Sequence, residues 1–198
     1  LNAKDSYTKA VLYGLAIPLI IIYLILFFDT KVKSVNDVKT ALDTVPNLGE
    51  LPMIKKDIIL SKKDDNSSLS EAFRILSSNL NFVLPIQQTK QAHVIVSTST
   101  IKGEGKTFSS INLAFVEANL GKRVLLLGAD LRNPQIHKSI PAIHNNTGLT
   151  NLLHETDIVW RDLIQNTDGF DTLDIIPAGP VPPNAPQLLS NGRLQLFI

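Results

Sequence analysis

From Ala10 to Phe28 the chain runs AVLYGLAIPLIIIYLILFF, nineteen residues without a charge. That is the length an α-helix needs to cross the hydrocarbon core of a bilayer. It predicts one transmembrane helix, with Pro18 inside it, as membrane helices tolerate; a buried core helix is the alternative. Lys4 and Lys9 precede the run and Lys31, Lys33 and Lys39 follow it, which tilts the positive-inside balance towards a cytoplasmic C-terminal part. Charged rather than small residues follow the apolar stretch, which argues against a cleaved signal peptide.

Beyond this segment the apolar positions become periodic. Residues 36–42 read as a short helix and Leu48 to Ile54 (LGELPMI) as a short strand, whereas 55–67 is polar and reads as a linker or exposed loop. Ser68 and Glu71 form a capping-box pattern. Leu69, Phe73, Leu76, Leu80 and Val83 then share one helical face until Pro85 ends it. His93 to Val96 is an apolar run of strand type. Phe108, Ile111, Phe115 and Ala118 recur at helical spacing towards Leu120, and Gly121 supplies a stop. Arg123 to Leu127 is a second buried strand, so strand, helix and strand make a βαβ unit. Residues 133–146 read as loop with one helical turn, 148–155 and 157–165 as two short helices, and 173–177 as a third strand. Asn184-Ala185-Pro186 opens a last helix after a proline-rich turn. Trp160 reads as a packing residue. Strands alternating with helices predict an α/β fold with a mainly parallel sheet covered by helices on both faces, preceded by one transmembrane helix.

Chemistry enters between the first strand and its helix, in Ser97-Thr98-Ser99-Thr100-Ile101-Lys102-Gly103-Glu104-Gly105-Lys106-Thr107. A glycine-bearing loop ending in Gly-Lys-Thr at the start of a helix is a phosphate-binding device. Without side chains, Gly103 and Gly105 let backbone N–H groups approach a β-phosphate. Lys106 places an ammonium against β/γ oxygens, Thr107 offers a hydroxyl to Mg²⁺, and the helix dipole points its positive end at the same place. The usual spacing puts a glycine six residues before the lysine, and here that position is Thr100. A dinucleotide fingerprint does not fit, because Phe108 stands where its third glycine belongs. The expected nucleotide-binding residues are therefore Thr100, Lys102, Gly103, Glu104, Gly105, Lys106, Thr107 and Phe108, with ATP and Mg²⁺ as ligands.

Composition narrows the picture modestly. A net charge of +1 over 198 residues implies no general affinity for nucleic acid. The absence of cysteine excludes disulfides and thiolate chemistry. The four histidines, His93, His137, His144 and His154, show no metal-ligand spacing.

The order of motifs resembles a family. Glu71-Ala-Phe-Arg74 precedes the phosphate loop, VLLLGADLRNP (124–134) follows on the next strand, then GLTNLL from Gly148 and IPAGPVPPNAPQLL from Ile176. The series is similar to the cytoplasmic domain of bacterial tyrosine kinases (BY-kinases), the membrane-anchored co-polymerases of capsule and exopolysaccharide export, related to the MinD/ParA ATPases. The resemblance implies that Lys106 acts on the phosphates, that Thr107 and Asp130 hold Mg²⁺, that Asp130 assists the attacking tyrosine hydroxyl, and that Arg132 stabilises phosphate charge. Where the family has Asp-x-Asp, this chain has Gly128-Ala129-Asp130, so the carboxylate role rests on Asp130. Glu71 and Arg74 resemble the start of the family's E-x-x-R-x-x-R oligomer motif, whose third position is Ser77 here; an i,i+3 ion pair is the local alternative.

The resemblance implies an ATP-dependent protein-tyrosine kinase of exopolysaccharide or capsule biosynthesis, autophosphorylating in trans. It would act on itself and on polysaccharide-synthesis enzymes as a membrane-bound homo-oligomer in the bacterial inner membrane, with 29–198 cytoplasmic. The expected organisation is a stub at 1–9, a transmembrane helix at 10–28, a juxtamembrane segment and linker at 29–67, and a P-loop kinase domain from 68. The chain does not start with Met and carries only Tyr7, Tyr13 and Tyr23. The expectation is a piece of a longer protein, itself inactive, whose third acidic motif and tyrosine cluster lie past Ile198. Two other readings stay open: a MinD/ParA-like membrane ATPase switch, and a non-catalytic chain-length scaffold.

Overall fold

The computed structural model describes residues 3–29, 32, 34–42, 44–54, 59–62, 65–85 and 92–198. It divides into two compact units, Leu1–Asn47 and Leu48–Ile198.

The first unit holds α1 (Ala3–Phe27) and α2 (Val35–Ala41). Within α1, Ser6–Phe27 is long and apolar enough to cross a membrane, and protein covers none of it. An uncovered helix that is apolar all round suits lipid better than a protein core. Lys31 and Lys33, two of the flanking charges, lie outside the described residues. The start of α2 is closed by a reciprocal cap: the Asp37 amide donates to Ser34 Oγ at 3.3 Å and the Ser34 amide to Asp37 Oδ2 at 3.0 Å.

The second unit is built on α3 (Ser68–Val83), α4 (Lys106–Asn119), β1 (Val124–Leu127), α5 (Ile136–Ser139), α6 (Leu149–His154), a 3₁₀ turn (Trp160–Leu163), β2 (Gln165–Asn166), β3 (Leu173–Ile176), α7 (Ala185–Ser190) and α8 (Arg193–Phe197). The sheet has the order β1-β3-β2, with β1 parallel and β2 antiparallel to β3. Alternation along the strands feeds two cores. Leu126, Leu173 and Ile175 pack with Phe73, Ile111 and Phe115 of α3 and α4, while Leu127 and Ile176 pack with Leu149, Leu153 and Leu188 of α6 and α7. Helices thus cover both faces of the sheet. Trp160 is a packing residue, its ring edge-on to Phe197 at 5.9 Å.

Some expectations fail, each because pairing is a long-range matter. The run at 93–96 is not a buried strand: residues 92–99 form no ladder, and Val94, Ile95 and Val96 are 55%, 50% and 80% exposed. A run of apolar residues signals a need for burial without naming the strand that would satisfy it. The neighbour of β1 on its one paired side is β3, and the βαβ unit expected around α4 is present only as helix plus second strand. Residues 48–54 likewise form no strand. Instead Leu51 and Ile54 pack on the α3/α4 core, and the Leu48 carbonyl accepts from Asn79. The segment read as linker contributes Leu60, which is buried and donates its amide to Asn112 Oδ1 of α4 at 2.8 Å. The cap of α3 is Ser67, one residue ahead of the expected Ser68, with Oγ accepting from the Ser70 amide. In place of a helix over 157–165 the chain makes the 3₁₀ turn and β2.

A buried polar knot locks α3 to α4. Glu117 takes a hydrogen bond from Ser77 Oγ at 2.7 Å and an ion pair from Lys122 Nζ at 2.6 Å, and Lys122 also donates to Asn81. The Glu117 carboxylate is nearly buried, so losing the cation strands its charge. Lys122→Met is expected to cost about 2 kcal/mol, read as a lower urea midpoint with an unchanged slope.

Candidate functional site

The phosphate loop takes its shape from two glycines and one carboxylate. Gly103 and Gly105 have φ of 94° and 91°, a left-handed backbone that L side chains avoid. No atom lies within 4 Å of where a Cβ would sit on either one, so conformation, not crowding, demands glycine there. Between them Glu104 turns back: its Oε2 accepts from the Thr100 amide at 3.0 Å and the Ile101 amide at 3.2 Å, and Ser99 Oγ donates to the Ile101 carbonyl. Among the described residues, the amides of 102–107 donate no hydrogen bond. They line the run that leads into α4, whose first turn leaves its N–H groups unpaired by construction.

Lys106 and Thr107 are half-buried in that first turn. Phe108, expected among the nucleotide-binding residues, is half-buried in the same turn. Its ring packs edge-on against Phe73 at 5.9 Å, which leaves its amide as its offering to the loop. This contact anchors the loop end of α4 to α3. Lys102 is exposed, as are Thr100 and Glu104.

Asp130 and Arg132 follow β1 in the chain. The short connection from Asn119 to Val124 turns the chain back, so β1 runs opposite to α4. Asp130 and Arg132 lie three and five residues past the carboxyl end of β1, the end at which open α/β sheets bind ligands. Asp130 Oδ1 accepts from the Asn133 amide, three residues on, at 3.0 Å, a local bond that orients the carboxylate. Arg132 is exposed.

Residues not singled out by the sequence shape the neighbouring strand end. Asn145 grips Gly179 from both sides, donating to its carbonyl at 2.6 Å and accepting from its amide at 3.0 Å. Gly148 is pressed against the backbone: a Cβ there would lie 2.2 Å from the Pro177 carbonyl oxygen. Both glycines were visible in the sequence, but Asn145 and Gly179 lie 34 positions apart, beyond any local signal. Gly128 is also confined; a Cβ on it would meet the Ala178 nitrogen at 2.6 Å and the Pro177 carbonyl carbon at 3.0 Å.

Glu71 and Arg74 form the local ion pair, at 3.5 Å, and Arg74 also donates to the Asp65 carbonyl at 3.0 Å. The hydrogen bonds from Ser67 hold the Asp65 carboxyl below the usual range. Ser77 is buried in the knot with Glu117. No cluster of three or more metal-binding side chains occurs among the described residues. Mg²⁺ bound with a nucleotide does not need one, since it takes one or two protein oxygens beside phosphates and water. The Thr107 hydroxyl and the Asp130 carboxylate fit that modest demand.

No family model matches the chain. It is 34% identical over 133 residues to the tyrosine-protein kinase YwqD of Bacillus subtilis, covering 67% of this chain and 54% of that protein. It is 32% identical to the putative tyrosine-protein kinase CapB of Staphylococcus aureus, covering 64% and 53%. It is 33% identical to the tyrosine-protein kinase CpsD of Streptococcus agalactiae, covering 74% and 61%. The chain thus spans between half and two thirds of these relatives. Among solved structures it is similar to the chimerical protein CapA2B2, with a TM-score of 0.70, 30% identity and coverage of 83% of this chain and 68% of that one. It is also similar to the BceF tyrosine kinase domain, with a TM-score of 0.71, 27% identity and coverage of 85% and 71%.

Proposed function

Because this chain belongs to the family of bacterial tyrosine-protein kinases, we propose that it carries the nucleotide-binding part of an ATP- and Mg²⁺-dependent protein-tyrosine kinase. The enzyme would be anchored in the inner membrane by α1, with 29–198 cytoplasmic, and would serve exopolysaccharide or capsule synthesis. The observation that carries this reading is the run of unengaged amides at 102–107, bent by two left-handed glycines into the N-terminus of α4 with Lys106 and Thr107 in its first turn.

In the reaction, a tyrosine oxygen bonds to the γ-phosphorus, the bond from that phosphorus to the β,γ-bridging oxygen breaks, and ADP leaves. The amides and Lys106 hold the phosphates and balance charge on the departing oxygens. Mg²⁺ supplies Lewis-acid neutralisation of phosphate charge when bound. Asp130, oriented by Asn133, positions the tyrosine hydroxyl and takes its proton. Arg132 counters charge on the transferring group. Its targets would be tyrosines of another copy and of polysaccharide-synthesis enzymes, with Glu71 and Arg74 contributing to assembly of the copies. The full-length protein given γ-labelled ATP should place label on tyrosine; label recovered only as free phosphate would reject the kinase reading.

That second outcome belongs to a MinD/ParA-like ATPase switch, and a protein that takes up no nucleotide would be a chain-length scaffold. One observation favours these alternatives. The position that the family resemblance gives to a second carboxylate is Gly128, and the Pro177–Ala178 backbone fills the space a side chain would need. Gly128→Asp is therefore expected to destabilise the fold by about 1–3 kcal/mol and not to raise phosphorylation. A variant as stable as wild type and more active would show that the space opens at no cost.

A further inference from the structure

We propose that Glu104 is a positioning residue, one that shapes the phosphate loop before any nucleotide arrives. This rests on the nucleotide-binding reading of the loop, which counts Glu104 among the loop residues, and gives its side chain a role apart from contact with the nucleotide. Residues 97–104 lie outside the helices and strands, so local contacts must fix their path. Two of the three recorded there end on one atom: Glu104 Oε2 accepts from both the Thr100 and the Ile101 amide, and Ser99 Oγ bonding the Ile101 carbonyl is the third.

The arrangement separates the two tasks of the loop. Thr100 and Ile101 stand six and five residues ahead of Lys106. Their amides are consumed by the carboxylate, whereas the amides of 102–107, Glu104's own among them, stay free for phosphate. The side chain therefore does not occupy the phosphate donors. It ties the upstream limb down at the point where the usual spacing would have a glycine and this chain has Thr100, while Gly103 and Gly105 provide the reversals on either side of Glu104 that let its side chain reach back. Amide-to-carboxylate bonds are the stronger, charge-assisted type. Without them the limb must be ordered at the moment of binding, and that entropy is subtracted from affinity.

Glutamine keeps a single oxygen able to accept both amides and removes the negative charge. Alanine removes the acceptor. The test compares wild type, Glu104→Gln and Glu104→Ala in the full-length protein, with Lys106→Met as reference. Without nucleotide, amide hydrogen exchange at Thr100 and Ile101 should be slow in wild type and Glu104→Gln and fast in Glu104→Ala. Titrated with Mg·ADP, Glu104→Ala should bind about tenfold more weakly, and Glu104→Gln as tightly as wild type or more so. Equal exchange in all three, or a Gln variant as weak as Ala, overturns the role. Tighter binding by Glu104→Ala also overturns it, since the carboxylate would then be competing with phosphate. If wild type and Lys106→Met both ignore Mg·ADP, the nucleotide reading falls, while the exchange comparison still decides whether Glu104 organises the loop.

Discussion

Lys106→Met in the full-length protein is expected to reduce tyrosine phosphorylation by about a hundredfold or more, while the protein stays in the membrane fraction. Lys106 begins α4, directly after the left-handed Gly105. Its ammonium, half-buried in that first turn, adds a formal positive charge to the amide dipoles of the loop. Amides can hold a phosphate, but they cannot follow charge as it shifts to the departing β-phosphate oxygens. Methionine keeps the length and helix propensity of the lysine stem, so α4 and its contact with α3 should persist. The proposed anchor, α1, belongs to a separate compact unit, which is why location and activity should part company. Phosphotyrosine blotting beside membrane fractionation checks both halves. Full phosphorylation in the variant would remove the loop from the mechanism.

The second large effect is expected at Gly148, far from the loop in sequence. Its φ of 174° is extended backbone that any residue adopts, so the demand for glycine is purely one of space. A methyl group would sit 2.2 Å from the Pro177 carbonyl oxygen, 2.5 Å from the Gly179 nitrogen and 2.8 Å from the Ala178 carbonyl carbon. All three are backbone atoms at the end of β3 and cannot swing aside as a flexible side chain would. The same crossing carries the bonds from the Leu149 amide to the Pro177 carbonyl and from the Thr150 amide to the Ala178 carbonyl, both at 2.8 Å. Separating the backbones breaks these and loosens Asn145 on Gly179. Gly148→Ala is expected to cost about 3 kcal/mol or more, a fall in melting temperature of about 6–12 °C for a unit of this size. A melting temperature within a degree of wild type would mean that the crossing is looser than the structure has it.

Much of the helical skeleton was legible because its signals are local. The spacing of Leu69, Phe73 and Leu80 placed α3, and Phe108, Ile111 and Phe115 placed α4, since a helix satisfies its own backbone and needs only one apolar face. β1 and β3 were readable as short branched and apolar runs. The start of α4 at Lys106 was readable as well, because a glycine followed by Lys-Thr marks the junction of loop and helix. The segment at 93–96 has an apolar pattern as good as that of β1, but a strand is a relation between two segments and a pattern describes only one. The same reason made 48–54 look like a strand and hid β2, two residues long, at the end of what read as a helix.

The candidate site divides along the same line. Gly103, Gly105, Lys106 and Thr107 form a contiguous motif, so their cooperation is written in order along the chain. The packing of Phe108, by contrast, required Phe73 on another helix. The Glu104 brace spans only three and four residues, yet a carboxylate between glycines has many places to turn, and the fold selects one.

The chain alone determined what each short stretch is able to be: a lipid-compatible helix, amphipathic helices and a phosphate-accepting turn. Those properties follow from side-chain type and from periods of two or 3.6 residues. Which stretches meet was settled in three dimensions, where the Pro177–Gly179 backbone claims the room beside Gly128 and Gly148 and the buried Glu117 finds Lys122. Close packing couples residues tens of positions apart, and exclusion of volume between distant segments leaves no trace in any one of them.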